Sequence, residues 1–332
     1  MPVLRKNPVT NQWVIIATER AKRPRDYKVE RQSLESSFCP FCAGNEDATP
    51  REICVYRDAA AQSAKRWNVR VVPNKYPALR VEGSLEMRGD GMYDTMEGIG
   101  AHEVIIESPD HVIDFSSLSV SEISTVLWAW RDRIVDLRKD ARLKCVMIFK
   151  NQGAEAGATL EHVHSQLIAL PVVPQRLQEE LDGAQRYFEF RERCVFCDML
   201  RQELESGVRI VHENAHVVAF APFASRFPFE VWILPRRHEP WYEAGTQQIY
   251  DATADALRVV IKKLNIALDQ PAFNLMLHSA PFVHENVAHY HWHIELIPKL
   301  NTVAGFEWAS GFHINPTPSE TAAQHLRDIE IG

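Results

Sequence analysis

The stretch TLEHVHSQ, Thr159 to Gln166, sets His162, His164 and Gln166 at every second position ahead of an apolar run. In an extended strand, such residues share one face. Neutral imidazole attacks phosphorus and is a good leaving group from it, so a histidine fixed here is a candidate nucleophile. A glutamine amide on the same side can donate to a phosphoryl oxygen as charge builds there. A second chemistry lies in two CxxC pairs, Cys39/Cys42 (CPFC) and Cys194/Cys197 (CVFC). CPFC runs into the turn residues Ala-Gly-Asn-Glu-Asp, which disfavours a redox motif opening a helix. Two thiolates with His111 and His162 would make a closed tetrahedral zinc site, structural because no position is left for water. One histidine of the HxH pair then binds metal while the other faces an adjoining cleft.

Anionic substrate groups need donors. Arg20, Lys22, Arg23 and Arg25 form a short basic run after a strand, a pattern more often a solvated face than a phosphate site. Asn151, Gly153 and Gly157 make a permissive loop whose backbone can approach a phosphate. Across all 332 residues the net charge is −7, which argues against a nucleic-acid partner. There is no signal-peptide core and no run of about 18 apolar residues, so the expectation is a cytoplasmic protein with no membrane partner. Cys54 and Cys145 read as isolated small apolar residues.

These groups need elements to position them. Asn11–Ile16 and His102–Ile106 alternate like strands, and Cys145–Phe149 is a short apolar run. Ser119 and Glu122 form a capping-box pattern ahead of a helical stripe, Ile123, Val126, Leu127, Trp130 and Ile134. Gln166–Leu170 is the next strand, stopped by Pro171, and the polar segment 172–193 is the expected connector. The pattern then returns, with strands near Val217–Phe220 and Phe229–Leu234, a helix over Thr246–Leu268, and strands near Phe273–Leu277 and His291–Ile297. Landmarks keep a constant offset: His111 and His238, His162 and His289, His164 and His291, and Pro171 and Pro298 are each 127 apart. The CxxC pairs are 155 apart, which puts an insertion of 28 residues between Cys42 and His111. The expected fold is therefore α+β: a tandem duplication, domains 1–175 and 190–332, each an antiparallel sheet with packed helices.

Longer motifs carry a resemblance. RKNPVTNQWVIIATERAKRP, CPFCAGN, VVPNKYPAL, ESPDH, FKNQGAEAGATLEHVHSQ, APFASRFPFEVWILPRRH and GFEWASGFHINPTP span nearly the whole chain. Together they resemble the galactose-1-phosphate uridylyltransferase branch of the histidine-triad superfamily. The resemblance implies two histidine-triad-like units in one chain, a homodimer, and ping-pong transfer between nucleoside-diphosphate sugars. It makes His164 the nucleophile that attacks the α-phosphorus of UDP-glucose, expels glucose 1-phosphate and holds UMP until a hexose 1-phosphate takes it. Gln166 would steady the phosphoryl oxygens. Arg20, Arg23, Asn74 and Asn151 would bind nucleotide or phosphates, with Gly153 and Thr159 nearby, and Gly311, Phe312 and Asn315 are expected sugar-phosphate contacts. The first metal set is again Cys39, Cys42, His111 and His162. The second takes Cys194, Cys197 and His238, with His289 as fourth ligand by the internal repeat or His291 by plant-type relatives. Two zinc ions are expected, and the second site could hold iron. By the repeat, His293 stands where the first half has Gln166, so only the first half is expected to be catalytic. GFEWASGFHINPTP resembles the ADP-glucose phosphorylase relatives, which transfer AMP to inorganic phosphate; that is the rival activity. A histidine-triad hydrolase and a non-catalytic zinc-stabilised binding protein are the remaining alternatives.

Overall fold

The computed structural model describes residues 1–20, 38–57, 67–283 and 287–331. Strands β1 (Val3–Lys6) and β2 (Trp13–Ile16) form an antiparallel pair at the amino end. After them come β3 (Cys54–Tyr56), β4 (Val69–Pro73), the hairpin β5 (Met87–Asp90) and β6 (Tyr93–Met96), and β7 (Ala101–Ile106). That hairpin lies in the stretch where the spacing placed an insertion. Helix α1 (Val120–Leu137) leads into β8 (Cys145–Gln152) and β9 (His164–Leu170). Helices α2 (Gln175–Arg191) and α3 (Val195–Ser206) open the second half, followed by β10 (Ile210–Glu213), β11 (Val217–Phe220) and β12 (Val231–Pro235). Helix α4 (Gln247–Leu268), β13 (Phe273–His278) and β14 (His293–Pro298) repeat the α1–β8–β9 succession. The chain closes on α5 (Gly305–Ser310), β15 (His313–Asn315) and α6 (Ser319–Arg327).

Ten strands make one antiparallel sheet, in the order β10-β11-β12-β14-β13-β8-β9-β7-β4-β3. Its two halves contribute five strands each, in mirrored order, and meet where β13 pairs with β8. Alternation along the strands sorts the side chains. Leu167 and Ala169 of β9, and Ile294 and Leu296 of β14, join α1, α4 and α6 in the principal core on one face. The intervening residues, including His164 and Gln166, look out from the other face.

Helix α1 starts where its sequence says. Ser119 Oγ accepts from the Glu122 N–H at 3.2 Å, and the Glu122 carboxylate accepts from the Ser119 N–H at 2.8 Å. Its stripe Ile123, Val126, Leu127, Trp130 and Ile134 is buried against the sheet. Trp130 Nε1 donates to Ser165 Oγ at 2.9 Å, which ties the helix to β9 between His164 and Gln166.

Three boundaries differ from the sequence reading. The expected connector is mostly the helix α2, whose Leu177, Leu181 and Ala184 form a narrow buried stripe on an otherwise polar surface. The strand expected from Phe229 begins at Val231, because Phe229 adopts φ +60°. The last long strand starts at His293 rather than His291. The two halves also do not keep apart, since β15 pairs in parallel with β2 from the far end of the chain.

Candidate active site and metal centres

β9 and β7 build the floor of the site. β7 and β9 pair with Val104 opposite Gln166, and β8 and β9 with Phe149 opposite Gln166. A cleft of about 440 Å³ opens above them, lined by Asn74, Tyr76, Thr159, His164 and Gln166 with apolar walls from Phe41, Pro50 and Leu160. That volume lies within the range of small-ligand pockets.

His164 is buried, and its Nδ1–H donates to the His162 carbonyl at 2.8 Å. The lone pair is thereby left on Nε2. Burial pushes its pKa down to about 4, so the ring is neutral at physiological pH, the form a nucleophile requires. Phe41 packs its ring 5.3 Å from His164, centroid to centroid, and fixes the ring's plane. Beneath the site, the buried Lys150 pairs with Glu107 and donates to the His164 carbonyl at 3.0 Å. Gln166 Oε1 lies 2.9 Å from His102 Nε2 and 3.4 Å from Asn74 Nδ2.

Beside His164, Cys39, Cys42, His111 and His162 bring one ligand atom each within 4.8 Å of one another. The Sγ–Nδ1 separations are 3.5 Å for Cys39–His162, 3.6 Å for Cys42–His162 and 3.4 Å for Cys42–His111. A tetrahedral ion with zinc-like bonds separates sulfur from nitrogen by roughly 3.6 Å, so this donor set fits. The outer nitrogen, His162 Nε2, donates to the Ser108 carbonyl at 2.8 Å, which turns Nδ1 toward the thiols.

The second set is Cys194, Cys197, His238 and His291. Cys197 Sγ lies 3.3 Å from His238 Nδ1 and 3.5 Å from His291 Nδ1. The Cys194 thiol donating to it holds Cys197 down, to about 3, and the same bond pushes Cys194 up. CVFC does open a helix, α3, with Cys194 as its N-cap. The two imidazole nitrogens at contact distance are what mark it as a metal set. His289, nominated by the repeat, is outside this cluster and sits edge-on to Phe188, with centroids 6.4 Å apart. The reason is register. His164 donates to the carbonyl two residues back, and so does His293, at 3.2 Å. Phe41 flanks His162 and His164 as Phe196 flanks His291 and His293. The structural equivalents are therefore His162 with His291, His164 with His293, and Gln166 with Glu295. Thus His293 is the counterpart of His164 rather than of Gln166.

Where His164 lines a cleft, His293 is fully enclosed among the described residues. Its ring stacks on His278 at 4.7 Å and on Trp232 at 5.1 Å. Glu295 is bound by Arg226 at 2.6 Å, and Glu180 by His278 at 3.0 Å. All four of Glu180, His278, His293 and Glu295 are buried.

Other expected contacts are scattered. Asn151 lies on β8 and accepts from Asn274 Nδ2 at 2.8 Å, so its carbonyl is already engaged. Gly153, at φ +85°, lines a separate hollow with Asp114 and Gln152. Arg20 lines another with Asn301, Phe306 and Pro316. Asn315 is fully buried, donates to the Ser225 carbonyl at 2.9 Å and accepts from the Thr317 N–H, so it holds a turn outside the His164 cleft. Gly311 ends α5 at φ +71°, and Phe312 follows it; neither lines the His164 cleft. Arg23, with Lys22 and Arg25, lies outside the described residues. His102, Lys150 and Glu107 were not singled out from sequence. The charged pair interrupts otherwise apolar strands, Ile105-Ile106-Glu107 and Ile148-Phe149-Lys150, and that was the available signal.

A neutral buried histidine, a glutamine two residues on and a cleft of about 440 Å³, mounted on a doubled sheet, have the form of a nucleotidyltransferase site. The profile described as "Galactose-1-phosphate uridyl transferase, N-terminal domain" matches residues 1–174, and a domain of unknown function matches 97–329. The chain is similar to the ADP-glucose phosphorylase of Arabidopsis thaliana, 36% identical over 99% of this chain and 93% of that one. It is also similar to the galactose-1-phosphate uridylyltransferase of Thermotoga maritima, 31% identical over 100% and 99%. The crystal structure of the Arabidopsis ADP-glucose phosphorylase with bound ADP-glucose superposes with a TM-score of 0.84 at 34% identity, covering both chains fully. The chain belongs to the galactose-1-phosphate uridylyltransferase family.

Proposed function

We propose that the protein transfers a nucleoside monophosphate by a ping-pong route through His164, from UDP-glucose to a hexose 1-phosphate such as galactose 1-phosphate. The observation that carries this reading is His164 itself: neutral, aimed by its bond to the His162 carbonyl, and lining the cleft beside Gln166. His164 Nε2 forms a bond to the α-phosphorus as the bond to the glucose 1-phosphate oxygen breaks. Gln166 donates to the phosphoryl oxygens during the displacement, and Asn74 and Thr159 line the nucleotide end. A hexose 1-phosphate oxygen then attacks the same phosphorus and returns His164 to its free state. Zinc in the two Cys2His2 sets would tie the CPFC and CVFC turns to the sheet and leave no open position for water, a structural role. We read the chain as two histidine-triad-like units, 1–175 and 190–332, acting as a cytoplasmic homodimer. The exposed Phe306 and Trp308 of α5, outside the His164 cleft, support a partner surface there.

A second reading, adenylyl transfer from ADP-glucose to inorganic phosphate, is favoured by the similarity to the Arabidopsis enzyme over the full chain. Incubation with each sugar nucleotide labelled in the α-phosphate, followed by peptide mapping, decides between them. The expected result is one nucleotide on His164 and a halt after one turnover without acceptor. Label from ADP-glucose alone would transfer the assignment to the second reading. Absence of any adduct would end both.

A further inference from the structure

We propose that His102 is a positioning residue that locks the Gln166 amide with its N–H2 group facing the phosphoryl centre; this rests on the reading of His164 as the nucleophile. The argument starts from two backbone donors, whose polarity is fixed. The Ala78 N–H donates to His102 Nδ1 at 3.1 Å, so Nδ1 is the acceptor and the ring proton sits on Nε2. The Tyr76 N–H donates to Asn74 Oδ1 at 2.8 Å, so the other end of Asn74 is the donor Nδ2. Both donors then converge on one atom, Gln166 Oε1, His102 Nε2–H at 2.9 Å and Asn74 Nδ2–H at 3.4 Å; the two donor nitrogens stand 3.1 Å apart, brought together by the oxygen they share, and the shorter bond is that of His102. With the oxygen claimed twice, the amide nitrogen is the end left for the cleft, and it meets no hydrogen-bond partner among the described residues.

The consequence is specific. An unlocked glutamine is free to turn its carbonyl toward the phosphoryl oxygens, where dipole and charge repel, and must reorient before it can donate. A locked one presents N–H donors before substrate arrives and reorganises nothing during the displacement. The same bonds hold the 74–78 loop, and Asn74, Lys75 and Tyr76 of that loop line the cleft. Seating of the nucleotide and orientation of the amide therefore share one network. A proton-transfer role for His102 is excluded by the same geometry, because both ring nitrogens are committed to Ala78 and Gln166.

The test has two arms on the full chain. In the first, histidine is labelled with nitrogen-15 and the His102 signals are identified by their loss in His102→Gln. The neutral Nε2–H tautomer at pH 8 is expected; the Nδ1–H tautomer or a doubly protonated ring overturns the proposal. The second arm measures single-turnover nucleotidylation of His164 and sugar-nucleotide affinity. His102→Leu should slow the step about tenfold, the worth of one oriented hydrogen bond, with affinity changed by less than about threefold. His102→Gln, whose amide can accept from Ala78 and donate to Gln166, should recover most of the rate. In a Gln166→Ala background, His102→Leu should add less than about twofold, because the group it positions is gone. An equal loss in that background, or a His102→Gln variant as slow as His102→Leu, refutes the proposal. Failure of the wild-type chain to form any adduct would count against the transferase reading, and the tautomer would still decide His102.

Discussion

Replacing Lys150 by methionine tests how the buried floor of the site is held. Its ammonium is enclosed, bonded to Glu107 and to the His164 carbonyl at 3.0 Å. Burial holds Glu107 above the usual carboxylate range and Lys150 below the usual amine range. Glu107 Oε1 already has no hydrogen-bond partner among the described residues, so loss of Lys150 strands the carboxylate without a countercharge. Breaking one member of such a pair costs about 3–5 kcal/mol, whereas replacing both by apolar groups of similar volume is often neutral. Lys150→Met should therefore lose about 3–5 kcal/mol in urea unfolding at pH 7, and Lys150→Met with Glu107→Leu should regain most of it. The sign with pH follows. The lone Glu107 has a folded-state pKa above its unfolded value, so the single variant's deficit is full above the folded pKa and shrinks as pH falls through it. The double variant should show no such trend. It should still form the His164 adduct about tenfold more slowly, because the donor to the His164 carbonyl is gone. Equal destabilisation in the single and double variants would refute the reasoning, since the cost would then lie in packing rather than in an unpaired charge.

Other outcomes follow from the same geometry. His291→Ala and Cys197→Ser should each lower bound metal by one equivalent per chain in elemental analysis, while His289→Ala should leave it unchanged; loss on His289→Ala would return the repeat-based register. Trp67 donating to the Glu46 carboxylate at 2.7 Å, with the Gly44 N–H at 2.9 Å, holds Glu46 below the usual carboxylate range beside the CPFC turn. Glu46→Gln should cost about 1 kcal/mol near pH 7 after solvent screening. That difference is present above the unfolded pKa and fades as pH falls through the folded one; a difference that persists in acid would show the charge is not its source. A β-carbon on Gly183 would sit 1.8 Å from the Val9 carbonyl oxygen. Gly183→Ala should therefore destabilise the protein in thermal unfolding, although alanine favours a helix by about 1 kcal/mol; a stabilised variant would mean that α2 moves freely against the amino-terminal segment.

Much of this was legible because it rests on local pattern. Period-two alternation located β9 and β14, and the Ser119–Glu122 box fixed the start of α1. The Cys39, Cys42, His111 and His162 grouping needed only motif spacing. What escaped depended on three-dimensional register. HYHWH offers three histidines on one face, and an offset anchored at Pro171 and Pro298 picks the wrong two, because Pro171 stands seven residues after His164, just past the end of β9, whereas Pro298 stands five after His293, inside β14. The role of α2 was hidden because its buried stripe is narrow. Arg20 and the 311–315 segment were joined to the site by resemblance alone, and within one chain they stand apart from it. His102 is silent in sequence, since its meaning comes from a backbone N–H across a loop.

The join between β8 and β13 has a further consequence. Five-stranded units that share a sheet edge as separate molecules come apart on dilution; here the second partner is covalently present at a fixed effective concentration. The union has no dissociation constant, and among the described residues the large sheet ends on the short strands β3 and β10. In the second half the positions that correspond to His164 and Gln166, His293 and Glu295, are buried, with Glu295 bound by Arg226, and the covalent join keeps this half paired to β8 at any concentration.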